Sequence, residues 1–376
     1  MASATIKLGV IGYGNSAKHF HLPLIIAVPT LEVHAIVQRT PPKPDAKPGE
    51  HCTIDFPKAK HYDNVDSFFL DPEIDLVLVA VGGMHFEYAK MALLCGKHVV
   101  VEKPFVNSSQ EADELVELGK RQNKLVTVYH NRRYDGDFLT VKSLIQGGVL
   151  GELIEFESHF DWDDPGWLET FEEKYVPGRG MLFGLGAHTA DQVLHLFGRP
   201  DSVFAILRSH RVRGSAVDDW HTLILQYAGE QNGGVVVTLK STQVSPMTKQ
   251  LRFFIRGRKG TYVKHHHDIQ EHQIFSGTTA LNPKLGKEDP SRYGELTTTT
   301  MYDESFQRED RSGRQPRYVG NLPTIPGKWK GYYEDLAQAL LNGSEFQVTA
   351  EGARDGIRLF ELARESAETG RVVSWN

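Results

Sequence analysis

A glycine-rich turn between a short apolar run and a helical pattern constrains the fold of this chain more than any other feature. The run Ile6–Ile11 reads IKLGVI, and residues 12–17 follow it directly as GYGNSA. A G-x-G-x-x-A turn after a strand and before a helix is typical of dinucleotide-binding βαβ units. Gly12 permits the tight turn, Gly14 lets backbone N–H groups approach a pyrophosphate, and Ala17 is small enough for close helix–strand packing. The expected phosphate-binding residues are Gly12, Gly14, Asn15, Ser16 and Ala17.

The first third of the chain alternates apolar runs with helical patterns. Further strands are expected at Val33–Val37, Asp75–Val81 and Leu125–Tyr129, with helices between them. This alternation predicts an α/β fold in which parallel strands form a doubly wound sheet. We therefore expect a dinucleotide-binding domain over residues 1–129.

The stretch VVVEKPF, residues 99–105, predicts a buried parallel strand that ends abruptly. Pro104 cannot extend the ladder, so Glu102 and Lys103 lie at the C-terminal edge of the sheet, where α/β folds bind ligands. The lysine ammonium could contact a substrate oxygen there while Glu102 orients it. Taken alone, the stretch fits a surface Glu–Lys pair better.

The segment after the second strand bears on the choice of cofactor. It reads Val37-Gln38-Arg39-Thr40, without the acid that usually binds the ribose 2′-hydroxyl of NAD. Arg39 and Thr40 can instead bind a 2′-phosphate, which favours NADP over NAD. The alternative is that Arg39 only stacks on the adenine. Gly82 and His85, which follow the strand Asp75–Val81, are also expected beside the cofactor because two glycines allow close backbone approach.

After Gly148 the pattern changes to period-two alternation, which predicts an antiparallel sheet in an α+β domain over residues 130–376. One sheet face would pack on a core and the other would be available to a second copy, so we expect a homodimer or homotetramer. The predicted strands are Glu152–Trp162, Ser202–Val212, His221–Tyr227, Gly234–Leu239, Leu251–Ile255 and Thr261–Lys264, and the closing helices are Lys330–Leu341 and Thr349–Thr369.

A helix within this second part carries His188, Asp191 and His195 on one face, at i, i+3 and i+7. A histidine at the start of a helix could act as a general acid or base. An equally good interpretation is a structural pair of His188 with Asp191. The run His265–His267 is expected in a solvated hairpin, because consecutive histidines on a strand point to opposite faces. No motif has metal-ligand spacing, so no metal site is predicted.

Composition excludes several classes of protein. The net charge of −6 argues against nucleic acid or an anionic membrane as a partner. The two cysteines, Cys52 and Cys95, lie in different sequence contexts and predict no disulfide framework. The N-terminal residues have neither a basic region nor a long apolar segment, so a cytoplasmic protein is expected.

Several stretches together resemble the Gfo/Idh/MocA oxidoreductases, and most closely the NADP-dependent scyllo-inositol dehydrogenases among them. The stretches are IGYGNSAKHFHLPL, GKHVVVEKPF, VYHNRRYDGDFLTVKSLI, ADQVLHLFG and VTAEGARDGIRLFE. The resemblance implies a Rossmann domain followed by a domain on an open, mostly antiparallel sheet. It also implies hydride transfer between NAD(P) and a secondary alcohol of an inositol, sugar or polyol.

The resemblance carries over to particular residues. It implies that Lys103 and His188 are catalytic, with Lys103 stabilising the reacting oxygen and His188 exchanging its proton, and that Asp191 is an acid of the same site. Many members have an aspartate four residues before the histidine, and Gly184 occupies that position here. Candidate substrate contacts are Arg132, Tyr134, Asp161, Trp162, Asp163 and Trp167.

Two alternatives remain open from the sequence. The missing acid at position 184 motivates a non-catalytic, sugar-responsive transcriptional regulator that binds the dinucleotide. Within the enzymes, the substrate could instead be an aldose oxidised at its anomeric carbon.

Overall fold

A computed structural model describes residues 5–165, 172–229 and 233–375 of the chain. The described residues form two compact units. The first comprises the chain up to Asn131 together with Glu271–Leu285 and Lys328–Arg354. The second comprises Arg132–Gln270, Gly286–Gly327 and the described residues from Asp355 onward.

Strands and helices follow one another as the sequence patterns suggest. The strands are β1 (Ile6–Ile11), β2 (Leu31–Val37), β3 (Lys60–Tyr62), β4 (Leu76–Val79), β5 (His98–Val101), β6 (Val126–Val128), β7 (Leu153–His159), β8 (Ser202–Arg208), β9 (Trp220–Gln226), β10 (Val236–Thr242), β11 (Leu251–Gly257), β12 (Gly260–His265), β13 (Gly294–Thr298), β14 (Arg308–Asp310), β15 (Arg317–Leu322) and β16 (Val373–Ser374). The helices are α1 (Leu22–Ile25), α2 (Cys52–Asp55), α3 (Val65–Phe69), α4 (His85–Leu94), α5 (Ser109–Gln122), α6 (Gly136–Gln146), α7 (Met181–Gly184), α8 (Gly186–Phe197), α9 (Gln270–Phe275), α10 (Lys330–Asn342) and α11 (Ala350–Thr369). Short 3₁₀ turns cover Asn131–Tyr134 and Pro290–Arg292.

The first unit is built on a six-stranded parallel sheet in the order β3-β2-β1-β4-β5-β6. Leu8, Val77 and Val100, on the neighbouring interior strands β1, β4 and β5, are completely buried. The strand order reverses between β1 and β4, and this is the point at which open α/β sheets bind ligands. The predicted doubly wound Rossmann sheet is confirmed.

Helix α5 shows how local signals determine the element boundaries in this unit. The Ser108 hydroxyl accepts a hydrogen bond from the backbone N–H of Glu111 at 3.2 Å, and this S-x-x-E sequence is typical of a capping box. The helix ends at Asn123, which adopts the left-handed conformation at φ 52°.

The second unit is built on a ten-stranded sheet in the order β14-β15-β13-β12-β11-β7-β10-β9-β8-β16. Strands β7 and β10 run parallel, and all other neighbours are antiparallel, which confirms the mostly antiparallel sheet. One row of side chains across five strands is completely buried: Val203, Leu225, Val237, Phe156 and Ile255. Helix α8 packs on this face, where Phe197 contacts Phe156 at 5.3 Å between ring centroids.

The opposite face of this sheet is only partly covered. The adjacent row on the same strands is formed by half-buried Phe204, Ile224, Thr238, Glu157 and Phe254. Across the described ranges, the structure contains no helix with the length and apolar character needed to cross a bilayer.

Candidate functional site

The glycine turn after β1 has the conformation that its sequence predicts. Gly12 adopts a φ of 103°, and a Cβ at this position would lie 2.4 Å from Cγ1 of Val81, so only glycine fits. At Gly14, by contrast, a Cβ would have no described heavy atom within 4 Å. The turn therefore combines a closely packed first glycine with an open second one, as a pyrophosphate-binding turn requires.

The helix predicted after this turn is not one regular α-helix in the structure. Residues Ala17–His21 form a π-helical turn, and the short α1 follows it, instead of the one regular helix that the glycine turn predicts. Pro23 lacks a backbone N–H, so it is tolerated in the first turn of α1 but would break the hydrogen-bond ladder inside one continuous helix from Ala17. The wider turn lets His21 face inward, where its side chain is completely buried.

The Glu102 carboxylate is the centre of a hydrogen-bond network at the end of β5. Its Oε1 accepts bonds from the Ser16 hydroxyl and from Nε2 of His21, the latter at 2.9 Å, and its Oε2 accepts the backbone N–H of Lys103 at 2.8 Å. Burial raises the pKa of Glu102, but the hydrogen bond from His21 and the charge of Lys103 outweigh it and lower that pKa to about 2. Glu102 is therefore ionised at neutral pH.

His21 and Tyr333, which the sequence analysis did not identify as site residues, complete this network. Nδ1 of His21 lies 2.5 Å from the Tyr333 hydroxyl, and the His21 ring packs on Tyr129 with a centroid distance of 4.1 Å. The histidine in the AKHFH segment could have been suspected from its position directly after the glycine turn. No sequence signal links it to Tyr333, which is more than 300 residues away.

The segment after β2 exposes Arg39 and Thr40 at the same edge of the sheet. Arg39 forms no hydrogen bond or ion pair with any residue that the structure describes, whereas the Thr40 carbonyl accepts a bond from Nε2 of His51 at 3.0 Å. The proline-rich loop that follows is tied back to the glycine turn, because the Tyr13 hydroxyl donates to Asp55 at 2.5 Å. Arg39 is thus an exposed cation beside an anchored loop.

The ends of β4 and β5 are joined by His85. Its Nδ1 donates to the carbonyl of Pro104 at 2.7 Å, and the Lys103–Pro104 peptide bond is cis. Gly82 is exposed, and a Cβ there would have no described neighbour within 4 Å. The predicted cofactor residues of the first unit therefore share one edge of the parallel sheet.

In the second unit, His188 lies near the start of α8 and is buried. Its ring meets the edge of Phe160 at 5.8 Å between centroids. His267 stacks on Phe160 at 4.6 Å, and the guanidinium carbon of Arg132 lies 4.8 Å from the same ring. Phe160, which the sequence did not single out, is the ring around which these groups gather.

The environment of His267 corrects an expectation. The solvated hairpin predicted for His265–His267 is wrong for His267, since both of its ring nitrogens are buried. Burial and the charges of Arg252 and Arg132 hold its pKa well below the usual value, so the ring is neutral. His265 is exposed, and His266 adopts a positive φ of 66°, which separates the three rings.

Asp191 is engaged by a neighbouring arginine. Its two carboxylate oxygens accept bonds from Nε and Nη2 of Arg133 at 2.8 and 2.6 Å. Nη1 of Arg133 also lies 3.3 Å from Nδ1 of His195. Burial, followed by the charges of Arg133 and Lys142, lowers the pKa of His195 to about 4. Both carboxylate oxygens of Asp191 are therefore engaged by Arg133, and the catalytic role that the resemblance implies for Asp191 stays a prediction.

The predicted substrate contacts are distributed unevenly. Trp162 packs with Phe160 and contacts the His267 ring at 5.4 Å, so it joins Arg132 and His188 around Phe160. Asp161 is buried, and its Oδ1 accepts the backbone N–H of Thr242 at 3.0 Å. Asp163 is exposed to solvent. The backbone carbonyl of Tyr134 accepts a hydrogen bond from the side-chain amide of Gln270. Trp167 lies outside the described residues.

Two groups of potential metal ligands occur among the described residues, and protein partners engage both. In the group His34, Asp71 and Glu73, the ammonium of Lys60 lies 3.1 and 2.7 Å from the two carboxylates. In the group His51, Cys52 and His61, the ring nitrogens of His51 bond to Thr53 and to the Thr40 carbonyl. The expectation that the chain binds no metal stays a prediction.

Family models match both units of the chain. Residues 6–130 match the model described as an oxidoreductase family with an NAD-binding Rossmann fold, and residues 138–263 match the GFO/IDH/MocA C-terminal domain. The open Gly14 and the exposed Arg39 at the sheet edge fit such a dinucleotide.

Individual relatives extend along almost the whole chain. The oxidoreductase C115.03 of Schizosaccharomyces pombe is 35% identical, over 98% of this chain and 99% of its own. The scyllo-inositol 2-dehydrogenase (NADP(+)) IolW of Bacillus subtilis is 32% identical, over 98% of this chain and 96% of its own. The solved structure of the oxidoreductase yvaA of Bacillus subtilis has a TM-score of 0.84 at 30% identity, covering 99% of this chain and 98% of that one. The chain is an oxidoreductase with an NAD-binding Rossmann fold and belongs to the Gfo/Idh/MocA family.

Proposed function

We propose that the protein transfers a hydride between NADP and a secondary alcohol or ketone of an inositol, sugar or polyol. The observation that carries the proposal is the end of β5, where the Lys103 backbone donates a hydrogen bond to an ionised, half-buried Glu102. This point lies at the same sheet edge as the open glycine turn. The relative IolW, named as an NADP-dependent scyllo-inositol dehydrogenase, supports the substrate class.

Gly12, Gly14, Asn15 and Ala17 would hold the cofactor pyrophosphate, and Ser16 would support the turn through Glu102. Gly82 and His85 would lie along the cofactor from the neighbouring strand. Arg39 and Thr40 would bind a 2′-phosphate, because an exposed guanidinium attracts a phosphate and no carboxylate follows β2 to repel it. When bound, the nicotinamide supplies the hydride acceptor or donor.

Lys103 would donate a hydrogen bond to the reacting oxygen and stabilise the negative charge that develops on it. His188 would accept the hydroxyl proton when the alcohol is oxidised and return it when the ketone is reduced. Glu102 would remain ionised and orient Lys103. Asp191 would hold Arg133 instead of exchanging a proton, because both of its oxygens already accept hydrogen bonds.

Substrate hydroxyls would be bound by the polar groups near Phe160. Arg132 offers a guanidinium and Trp162 an aromatic surface, and the expected contacts of Tyr134, Asp161, Asp163 and Trp167 stay predictions. Asp161 has one oxygen occupied by Thr242, which leaves its other oxygen for a ligand or for His159, 3.6 Å away.

The protein would work as a homodimer or homotetramer in the cytoplasm. The half-buried apolar residues on the open face of the ten-stranded sheet, together with Val236 at 41% exposure, support self-association through that face. Light scattering after size exclusion measures this directly, and a monomer at micromolar concentration would contradict it.

The test of the activity is absorbance at 340 nm with purified protein, NADP or NAD, and a panel of inositols, aldoses and polyols. We expect NADP reduction with at least one cyclic or linear polyol, and slower reduction of NAD. Turnover restricted to aldoses would favour oxidation at the anomeric carbon instead. Tight dinucleotide binding without turnover of any panel member would contradict the proposed activity.

A further inference from the structure

We propose that His21 and Tyr333 are positioning residues that hold the Glu102 carboxylate, and through it the backbone of Lys103 and the Ser16 hydroxyl, in the arrangement needed for hydride transfer. This inference rests on the proposed function, because it assigns a purpose to the fixed position of Lys103. Neither residue is expected to touch the substrate.

The Glu102 carboxylate joins two segments that would bind different reactants. Ser16 belongs to the glycine turn of the proposed cofactor site, and Lys103 is the proposed oxygen-binding residue. The two oxygens of a single carboxylate accept from both. A rotation of the Glu102 side chain would therefore break the hydrogen bonds to Ser16 and to the Lys103 backbone at the same time.

His21 supplies the remaining hydrogen bond that restrains this carboxylate. An ionised carboxylate can only accept, so Nε2 of His21 carries the proton of the 2.9 Å bond. Nδ1 lies 2.5 Å from the Tyr333 hydroxyl, and the two groups share a hydrogen bond. Both ring nitrogens are bonded, and the ring packs against Tyr129, so its orientation is fixed.

Tyr333 is well suited to a positioning role because the helix that carries it is anchored independently. Within the first unit, the neighbouring Tyr332 donates its hydroxyl to the Val128 carbonyl at 3.0 Å. Trp329 packs against Phe20 at 6.0 Å between ring centroids. Removing only the Tyr333 hydroxyl leaves these contacts of α10 in place.

Tyr332 also provides a matched control. Both tyrosines are completely buried, and each has a hydroxyl hydrogen-bonded within the first unit. Tyr333→Phe and Tyr332→Phe therefore remove the same group from similar surroundings. Only the first substitution removes the partner of His21.

The experiment compares Tyr333→Phe, Tyr332→Phe, His21→Ala and His21→Gln with the unchanged protein, using scyllo-inositol and NADP. We expect Tyr333→Phe to lower kcat about 10-fold, the effect of one buried hydrogen bond, with a smaller change in KM for the inositol. His21→Ala should lower kcat about 100-fold, since the carboxylate loses a charge-assisted donor. His21→Gln, whose amide can still donate to Glu102, should recover most of that loss.

Equal kcat in Tyr333→Phe and Tyr332→Phe, or no recovery by His21→Gln relative to His21→Ala, would overturn the inference. Melting temperatures verify that each variant is folded. If the unchanged protein does not turn over scyllo-inositol, the proposed activity fails for this substrate. The proposed hydrogen bonds of His21 to Glu102 and Tyr333 are then tested by ¹⁵N NMR of the histidine rings. A proton on Nε2 of His21, together with an Nδ1 signal that changes in Tyr333→Phe but not in Tyr332→Phe, supports the inference, and unchanged His21 signals in Tyr333→Phe overturn it.

Discussion

The guanidinium of Arg133 binds both carboxylate oxygens of Asp191, at 2.8 and 2.6 Å, and the two side chains are only 8% and 4% exposed. Asp191 lies one helical turn after His188 on α8, and Arg133 lies in the turn before α6. Because a bidentate pair has a fixed geometry, it holds the helix that carries His188 in one orientation.

Removing one charge of this pair should destabilise the fold. We expect Asp191→Asn to lower the free energy of unfolding by about 3 kcal/mol, since it leaves a buried guanidinium without a counter-charge. Urea denaturation measures the loss. The control is Glu152→Gln in the exposed Arg258–Glu152 pair, which should cost less than about 1 kcal/mol. Equal costs in the two variants would contradict the structural role of the Arg133–Asp191 pair.

The two glycines of the first turn should respond differently to alanine. Gly12→Ala places a Cβ 2.4 Å from Val81 at a positive φ, and we expect a loss of about 1–3 kcal/mol of stability. Gly14→Ala meets no described atom and should keep the melting temperature, but its methyl group would occupy the space for the pyrophosphate. Thermal unfolding and NADPH fluorescence titration separate the two effects. A weaker fold without weaker binding in Gly14→Ala would contradict the prediction.

Local patterns predicted most of the fold. The run IKLGVI corresponds to β1 at both ends, and α5 begins directly after Ser108, the first residue of an S-x-x-E capping sequence. The alternating runs of the second half located six of its strands, β7 to β12, although their ends shifted by several residues. These signals succeeded because hydrophobic period and capping depend on residues close in the chain.

The environment of the candidate site was predicted less completely, because it depends on contacts between distant residues. Lys103 and Glu102 were recognised from a strand end, but the bonds of Glu102 to His21 and of His21 to Tyr333 arise from tertiary packing. The ion pair of Asp191 was also not predicted. Its partner Arg133 is 58 residues away, and no local rule pairs them.

Reversing the charge of Arg39 should change the cofactor preference. In Arg39→Glu, we expect KM for NADP to rise about 10- to 100-fold, the range for loss of a charged hydrogen bond, because a carboxylate would repel the 2′-phosphate. KM for NAD should fall or stay constant. Initial rates at 340 nm with both cofactors measure this. Arg121→Glu, an exposed arginine on α5, is the control for the change in net charge, and a similar effect of both variants would contradict a specific role of Arg39.

Lys103 and His188 should be needed for turnover and not for folding. We expect Lys103→Met and His188→Asn each to lower kcat at least about 100-fold, as loss of an oxygen-stabilising donor or a proton-transfer group does. NADPH binding by His188→Asn should be unchanged, since His188 is in the second unit. Stopped-flow and steady-state rates measure the effect. Native turnover in either variant would contradict the proposed role of that residue.

His221 should make the fold sensitive to mild acid. It is 1% exposed on β9, and in the described part of the chain neither ring nitrogen has a hydrogen-bond partner. Burial is the main reason that its pKa falls from 6.5 to about 4, against the opposing charges of Asp218 and Asp161. Between these two values the unfolded chain binds a proton that the folded chain does not, so stability falls as pH decreases from about 6.5 to 4.

The loss at His221 amounts to about 3 kcal/mol over this range, given 1.36 kcal/mol for each pH unit. His221→Gln cannot take up the proton, and we expect its free energy of unfolding to decrease less steeply over the same range. Urea denaturation at half-unit pH steps measures the two slopes, with His265→Gln, at an exposed histidine, as the control. Parallel pH curves for the unchanged protein and His221→Gln would mean that the buried ring does not resist protonation. The expected result is a loss in the unchanged protein that exceeds the loss in His221→Gln by about 3 kcal/mol between pH 6.5 and 4, because only the unchanged protein must keep a neutral, buried His221.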